Sequence, residues 1–211
     1  MQSSRELIVQ PIGLDVESLA RPIIWREMFA NENPVELEIG MGKGTFLTEQ
    51  AKTHPETNFF GIEYARWFWR YASDRLRRNG CLNARTVRAE AAYFLHEFVP
   101  DESLAVVHIY FPDPWPKKRH HKRRLIQPPF LIEICRVLKI GGRVRIVTDH
   151  EEYFQQIREV VKASPLKETE SVAGEGEIVG TNFERKYRRE GRAFYAIAAV
   201  KEQTRSPSGR G

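Results

Sequence analysis

The sequence predicts an α/β fold with a mostly parallel sheet, on three observations. Short apolar runs of strand length alternate with amphipathic stretches along most of the 211 residues. The run Leu104–Tyr110 is apolar enough to be buried on both faces, as strands of parallel sheets are. Gly80 directly follows a stretch of helical character, where a glycine commonly ends a helix. In such a fold ligands bind beyond the carboxyl ends of the strands, so residues that follow each strand are the candidate site residues.

The predicted elements alternate between strands and helices. The predicted strands cover residues 35–39, 58–63, 84–88, 104–110, 143–148 and 194–200. The predicted helices cover residues 45–52, 65–78, 91–98, 130–138 and 151–163. Pro128 and Pro129 stand where the fourth helix begins, a position that tolerates proline. Gly141 and Gly142 are predicted to turn the chain into the fifth strand.

Length and composition suit one globular domain, since 41% of the residues are hydrophobic and 29% are charged. We expect a single domain over residues 1–203, with a partly mobile N-terminal extension at 1–30 and a long loop at 174–191. Residues 204–211 are expected to form a disordered tail, because their glycine, serine and proline cannot pack a core.

The net charge and the cysteine content indicate what kind of partner and which cellular compartment to expect. The net charge of +5 favours a polyanionic partner if the basic residues cluster. Cys81 and Cys135 are too few for a disulfide framework or a structural zinc site, which indicates a reducing compartment. No apolar run is long enough to span a bilayer, and the first residues lack the apolar core of a signal peptide. We therefore expect a cytoplasmic protein.

Glu38 and three alternating glycines end the first predicted strand. Gly40, Gly42 and Gly44 let the backbone turn tightly and approach a ligand closely. NAD-binding folds use similar turns with a different glycine spacing. A carboxylate beside the loop would repel a dinucleotide pyrophosphate, whereas it suits a sulfonium-bearing amino acid. The pattern therefore favours S-adenosylmethionine over NAD.

Two further acids follow the next two strands. Glu63 is placed to accept hydrogen bonds from ribose hydroxyls, and Glu90 from an adenine amino group. Taken alone, Glu63 fits a solvated strand-end glutamate equally well. Acids at the ends of three consecutive strands indicate a cofactor crevice.

The fourth strand leads directly into Phe111-Pro112-Asp113-Pro114-Trp115. Prolines on both sides of Asp113 stiffen the backbone, so an apolar strand delivers one carboxylate and one indole to the predicted site.

Methyl transfer depends mainly on positioning. A pyrimidine C5 acceptor would require a cysteine nucleophile, and neither cysteine lies near a strand end with a suitable motif. Enzymes that methylate exocyclic amines typically carry Asn/Asp-Pro-Pro-aromatic where Pro-Asp-Pro-Trp stands here. Guanine N7 carries a lone pair and no proton, so with this acceptor Asp113 would only orient the base and offset its developing charge. Trp115 would stack on a flipped base.

A basic segment begins two residues after Trp115. Its members are Lys117, Lys118, Arg119, His120, His121, Lys122, Arg123 and Arg124. Such a run is commonly a solvated surface, or resembles a nuclear localisation signal, but its place beside the predicted site favours contacts with RNA phosphates. A second cluster, at residues 185–192, precedes the last strand. Adjacent histidines without a third ligand rarely bind a metal, so no metal is expected.

Together and in this order, these motifs resemble the bacterial tRNA guanine-N7 methyltransferases. The residues that carry the resemblance are Leu37-Glu38-Ile39-Gly40, Gly61-Ile62-Glu63, Phe111–Trp115 with Lys117, Lys122–Arg124, Thr148-Asp149 and Thr181-x-Phe183-Glu184. The resemblance implies a Rossmann-like class I methyltransferase fold, with a seven-stranded sheet whose last strand is antiparallel. It also implies methyl transfer to the guanine at position 46 of the tRNA variable region. Bacterial members act as monomers or homodimers, so no obligatory protein partner is expected.

The resemblance implies a role for each candidate residue. Cofactor binding is assigned to Glu38, Gly40, Gly42, Gly44, Glu63, Glu90 and Asp113, of which Asp113 is also catalytic. Substrate binding is assigned to Lys117, Asp149, Thr181, Asn182, Phe183 and Glu184. RNA binding is assigned to Arg119, His120, His121, Lys122, Arg123 and Arg124. Asp149 alone would equally fit an N-cap. The family commonly has Asp or Asn where Glu90 stands.

Two other interpretations remain. One is a methyltransferase of the same fold that acts on another nucleobase or on a protein. The other is an RNA-binding protein with a degenerate cofactor pocket, against which the intact Glu38, loop glycines and Glu63 argue.

Overall fold

The computed structural model describes residues 6–169, 189–191 and 193–203, and they are built around one eight-stranded sheet. Its strands are β1 (Gly13–Leu14), β2 (Val35–Ile39), β3 (Asn58–Ile62), β4 (Ala84–Val87), β5 (Leu104–Tyr110), β6 (Leu138–Thr148), β7 (Lys167–Thr169) and β8 (Tyr195–Val200). They lie in the order β1-β4-β3-β2-β5-β6-β8-β7. Only the pairings of β8, with β6 and with β7, are antiparallel among these strands. The predicted fold class is confirmed, with one strand more than the expected seven.

Helices cover both faces of the sheet. They are α1 (Trp25–Phe29), α2 (Thr45–Thr53), α3 (Arg66–Arg78), α4 (Ala91–Phe98), α5 (Pro128–Val137) and α6 (Glu151–Lys162). Phe59 and Phe60 are adjacent on β3 and both are buried, yet they belong to different apolar clusters. Successive strand side chains point to opposite faces, so α2 and α3 cover one cluster while α4, α5 and α6 cover the other.

Two short edge strands escaped prediction because two or three residues carry no detectable periodicity. β1 pairs with β4 through Gly13 and Leu14, and the preceding Ile12 is fully buried. Upstream, the Ile8 amide donates to the Asp74 carboxylate at 3.4 Å. Residues 6–14 are thus attached to β4 and α3, while the predicted mobility of the 1–30 extension stays a prediction.

The fifth predicted strand began too late, because β6 starts at Leu138 and includes Gly141 and Gly142, where its register with β5 shifts. Gly141 has a φ of +80°, a conformation that favours glycine. A Cβ on Gly142 would lie 2.8 Å from the carbonyl oxygen of Lys139 and 3.1 Å from that of Ala105. Glycine therefore permits β6 to continue through an irregular stretch beside β5 instead of starting after a turn.

Some predictions fall outside the described residues: most of the loop at 174–191 and the tail at 204–211. Within the described ranges, none of the helices has the length and apolarity that a membrane crossing requires.

Candidate active site

A cavity of about 1250 Å³ opens at the carboxyl ends of β2, β3, β4 and β5. Because β2 lies between β3 and β5, this is the switch point of the sheet, where open α/β folds bind their ligands. The cavity lining includes these residues predicted to bind the cofactor: Glu38, Gly40, Gly42, Glu63, Glu90 and Asp113.

The glycine loop between β2 and α2 turns through three positive φ angles. They are +76° at Gly40, +53° at Gly42 and +66° at Gly44. Added Cβ atoms on Gly40 and Gly42 would meet nothing within 4 Å, whereas one on Gly44 would lie 2.8 Å from the Cβ of Ala72. Gly44 is absent from the cavity lining. Glycine at this position permits the close packing of α2 against α3, and the cofactor contact of Gly44 stays a prediction.

Glu38 is a buried acid without a hydrogen-bond partner at one oxygen. Its residue is 3% exposed, and Oε2 has no partner among the described residues. Burial, helped by the charge of Glu63, raises the pKa of Glu38 to about 8. With this raised pKa the carboxyl group favours its protonated form. A cationic ligand group that entered the cavity would favour the ionised carboxylate and could pair with it.

Glu63 fastens the glycine loop. One oxygen of its carboxylate accepts the Gly42 amide at 2.9 Å, and the other accepts the Ala65 amide at 2.8 Å. The residue is therefore more than a solvated strand end, since it connects the turn after β2 to the turn after β3.

Glu90 caps α4. Its carboxylate accepts hydrogen bonds from the backbone amides of Ala92 at 3.1 Å and Tyr93 at 2.7 Å, as an acidic N-cap residue usually does. The sequence placed the helix correctly but missed this capping role. Glu90 still lines the cavity, so its carboxylate faces both the helix and the ligand space.

The Pro-Asp-Pro-Trp turn forms the opposite wall. Phe111 and Trp115, on either side, have φ angles of +52° and +42°, which residues with a Cβ rarely adopt. Asp113 is exposed within this wall, and Trp115 is half-buried. The Arg123 guanidinium carbon lies 5.0 Å from the Trp115 ring centre, and the His120 ring meets the indole edge-on at 5.9 Å.

The basic segment is a 3-10 helix over Lys118–Arg123. Arg119, Lys122 and Arg123 are exposed, and Arg123 also lines the cavity. His120 is half-buried against Trp115. His121 is half-buried too, with Nε2 3.7 Å from a Glu152 carboxylate oxygen.

Arg124 departs from the predicted RNA contact. Its side chain is only 1% exposed and pairs with Glu152 at 3.2 Å, so its guanidinium does not face solvent. Charge pattern alone could not reveal this, because eight consecutive basic or imidazole residues look alike in sequence.

The residues assigned to the substrate are more scattered. Lys117 is exposed at the start of the 3-10 helix, and Asp149 is half-buried directly after β6; neither lines the cavity. The alternative role of Asp149 as N-cap was wrong, because the cap of α6 is His150, whose Nδ1 accepts the Tyr153 amide at 3.3 Å. The four residues Thr181, Asn182, Phe183 and Glu184 lie outside the described ranges.

A buried polar chain under the cavity was missed by sequence reasoning. His108 of β5 contacts the Glu36 carboxylate at 2.7 Å through Nε2 and the Tyr110 hydroxyl at 2.6 Å through Nδ1. Burial lowers the pKa of His108, so a neutral ring donates to Glu36 and accepts from Tyr110. Tyr110 also lines the cavity. The hydrogen bond to His108 therefore fixes the orientation of a hydroxyl group in the cavity wall. Only the alternation of His108 and Tyr110 along one strand face would have hinted at it.

Fold and site together define an S-adenosylmethionine-dependent methyltransferase with a Rossmann-like fold. A family model described as "Putative methyltransferase" matches residues 32–197. The chain is 36% identical over 202 residues to a tRNA (guanine-N(7)-)-methyltransferase of Alkalilimnicola ehrlichii, covering 93% of this chain and 84% of that one. The chain belongs to this family of tRNA (guanine-N(7)-)-methyltransferases.

Solved structures share the fold at low identity. The aminoglycoside resistance methyltransferase NpmB1 superposes with a TM-score of 0.61 at 18% identity, covering 84% of this chain and 91% of that one. An S-adenosylmethionine-dependent methyltransferase from Aquifex aeolicus gives 0.58 at 15% identity, with 83% and 86% covered.

Proposed function

We propose that this protein transfers a methyl group from S-adenosylmethionine to N7 of the guanine at position 46 in the tRNA variable region. One observation carries the proposal: a buried Glu38, one oxygen of which has no partner among the described residues, and an exposed Asp113 on a proline-fixed turn line the same cavity. The first is suited to a cationic amino acid and the second to a base that carries N–H donors.

The residues of the cofactor half fit S-adenosylmethionine. Glu38 would pair with the ammonium group, and its unpartnered oxygen supplies the acceptor. Glu63 and Glu90 would accept hydrogen bonds from ribose and adenine with lone pairs that the backbone amides leave free. The glycines at 40 and 42 present open backbone to the ligand. When bound, the cofactor supplies a methyl group on an electrophilic sulfonium.

The acceptor half suits a purine without a removable proton at the reacting atom. Asp113 would accept hydrogen bonds from guanine N1–H and the exocyclic amino group, which directs N7 toward the methyl group. Its negative charge would also stabilise the positive charge that develops on the ring. Trp115 offers a half-buried face for stacking of a base withdrawn from the tRNA.

The basic segment at the rim would bind the tRNA backbone. We assign this role to the exposed Arg119, Lys122 and Arg123 and to the half-buried His120 and His121, with Lys117 and Asp149 closer to the target nucleotide. Phosphate contacts of this kind position the RNA without reading its sequence. The segment Thr181–Glu184 is proposed to contact the substrate as well. We further infer a single domain over residues 1–203 that acts in the cytoplasm as a monomer or homodimer.

Transfer from labelled S-adenosylmethionine to unmodified tRNA transcripts tests the proposal, with the product nucleoside identified by mass spectrometry. We expect 7-methylguanosine, and its loss when guanine 46 is replaced by adenine. Label that persists after this replacement would contradict the proposed position, and label on another base would contradict the proposed reaction.

A further inference from the structure

Arg124 is a buried cation at the end of an exposed basic segment. Its two preceding neighbours, Lys122 and Arg123, are exposed, whereas the Arg124 side chain is 1% exposed. Burying a guanidinium costs free energy unless its N–H donors form hydrogen bonds. The hydrogen-bond partners of Arg124 therefore indicate which parts of the structure its side chain holds together.

Those contacts join the catalytic turn to α6. Nε of Arg124 donates to the carbonyl oxygen of Pro114 at 2.7 Å. Nη1 donates to Gln156 Oε1 at 2.5 Å and Glu152 Oε1 at 3.3 Å, and Nη2 donates to Glu152 Oε2 at 3.2 Å. The guanidinium carbon also lies 4.8 Å from the ring centre of Tyr153. One side chain thus contacts three residues of α6 and one peptide of the Pro-Asp-Pro-Trp turn.

The peptide it holds is the one between the two functional side chains. The Pro114 carbonyl follows Asp113 and precedes Trp115, whose φ of +42° must be maintained by its surroundings. Among contacts between described residues, the Arg124 bond is the one hydrogen bond to the main chain of residues 112–116. Prolines at three of these five positions leave few amides that could secure the turn otherwise.

The α6 side of the contact is itself firmly placed. Tyr153 is fully buried, and its hydroxyl accepts the Ile126 amide at 3.1 Å. Gln156 donates to the Ile126 carbonyl at 3.3 Å. The end of the basic segment and α6 therefore form one unit against which Arg124 can hold the turn.

We propose that Arg124 is a positioning residue: its guanidinium fixes the Pro114 peptide and thereby aims Asp113 and Trp115 into the cavity. The inference rests on the proposed function for its catalytic consequence, and it replaces the predicted contact of Arg124 with RNA.

Arg124→Lys tests this role, because an ammonium group cannot donate to Pro114 while spanning Glu152 and Gln156 with a planar fork. We expect kcat with saturating tRNA and cofactor to fall roughly 10- to 100-fold, the cost of a misplacement near 1 Å. The cofactor Kd should change no more than a few-fold, because most of the proposed cofactor contacts lie outside the turn. The salt dependence of tRNA binding should stay within about twofold of wild type, because it depends on phosphate contacts of the exposed basic residues.

Arg136→Lys is the matched control. Arg136 is also a partly buried arginine, which donates to the Leu95 and Val99 carbonyls and pairs with Glu133, but it lies away from the cavity. Its replacement should lower Tm as Arg124→Lys does, with kcat unchanged. If both variants retain the same kcat, or if Arg124→Lys raises the tRNA KM and reduces the salt slope instead, the positioning role is wrong.

A second readout does not depend on turnover. Protein labelled with 5-fluorotryptophan contains four tryptophans, and Trp115→Phe identifies the resonance of Trp115. Arg124→Lys should shift or broaden that fluorine resonance, and Arg136→Lys should not. An unaltered Trp115 resonance overturns the inference even if wild-type protein methylates no tRNA, whereas an altered resonance with inactive wild type would count against the proposed function alone.

Discussion

The cofactor half of the cavity (Glu38, the glycine loop, Glu63 and Glu90) and the acceptor half (residues 111–124) are held in place by different means. In the cofactor half, hydrogen bonds from the main chain hold the carboxylates in place. Both oxygens of Glu63 and both oxygens of Glu90 accept main-chain N–H groups at strand and helix ends. In the acceptor half, a buried side chain, Arg124, holds a turn with two unfavourable φ angles.

This difference distinguishes binding of a common cofactor from recognition of one particular acceptor. Main-chain amides are present at strand and helix ends whatever the side chains around them, so carboxylates bound to such amides suit a cofactor that one fold can bind in enzymes of different function. A turn held by side chains can be re-aimed by a few substitutions, which suits recognition of one acceptor. Changes in the cofactor half should therefore alter binding, and changes in the acceptor half should alter turnover.

Asp113→Ala should give the largest effect. We expect kcat for methyl transfer to tRNA to fall about 100- to 1000-fold, as when one group that stabilises developing charge is removed. The cofactor Kd, measured by calorimetry, should change only a few-fold. Near-normal turnover would remove Asp113 from its assigned role.

Glu38→Gln should come second and should act on binding. Loss of the charge opposite the ammonium group is expected to weaken S-adenosylmethionine roughly 10- to 100-fold, with kcat at saturating cofactor little changed. Glu56→Gln, on an exposed turn, serves as the control. An equal cofactor Kd in both variants would contradict the proposed pairing.

The same variant has a pH signature. The folded pKa of Glu38 is raised to about 8 from an ordinary 4.5, so the folded protein keeps a proton that the unfolded chain has lost. Between these values the free energy of unfolding of ligand-free protein should fall with rising pH, by at most about 1.4 kcal/mol per unit. Urea unfolding of Glu38→Gln should lack this slope. Identical pH profiles would mean that Glu38 is already ionised.

Neutralising the exposed rim should give a smaller change. In Lys122→Gln/Arg123→Gln the KM for tRNA should rise several-fold to about tenfold, and the salt slope should fall by about one per lost phosphate contact. Lys139→Gln/Arg143→Gln, exposed charges at the beginning of β6, are the matched control. A salt slope equal to that of the control would show that the rim is only solvated.

Gly44→Ala should give the smallest effect on chemistry. Its Cβ would lie 2.8 Å from that of Ala72, and its φ is +66°. Gly80→Ala shares the positive φ without the close contact. We expect urea unfolding to show a loss of about 1–3 kcal/mol for Gly44→Ala and about 1 kcal/mol for Gly80→Ala. Equal losses would assign the cost to backbone strain alone.

Sequence reasoning recovered the features that follow directly from strand ends. Glu38, Glu63 and Asp113 line the cavity at the predicted edge of the sheet, because each lies at or just after the end of an apolar run that could be assigned to a strand. Their roles in binding and catalysis stay predictions. Sequence reasoning failed where burial or partners decide the role. Arg124 carries the same charge as Arg123, and only the packing of α6 distinguishes the two.

Sequence patterns also failed to predict the N-cap of α6 and the short strand β1. Asp149 is a better N-cap by residue type than His150, yet the chain begins α6 one residue later. The strand β1 has only two residues, and its pairing with β4 depends on contacts distant in sequence. Such choices are settled by tertiary packing rather than by propensity.

The most direct test of the central claim uses tRNA that carries 7-deazaguanine at position 46, which keeps N1–H and the amino group but lacks the reacting nitrogen. We predict that this tRNA binds as tightly as the normal transcript, competes with it, and receives no label from S-adenosylmethionine. Methylation of the deaza nucleotide at a rate near that of the normal transcript would contradict the claim that guanine N7 is the acceptor.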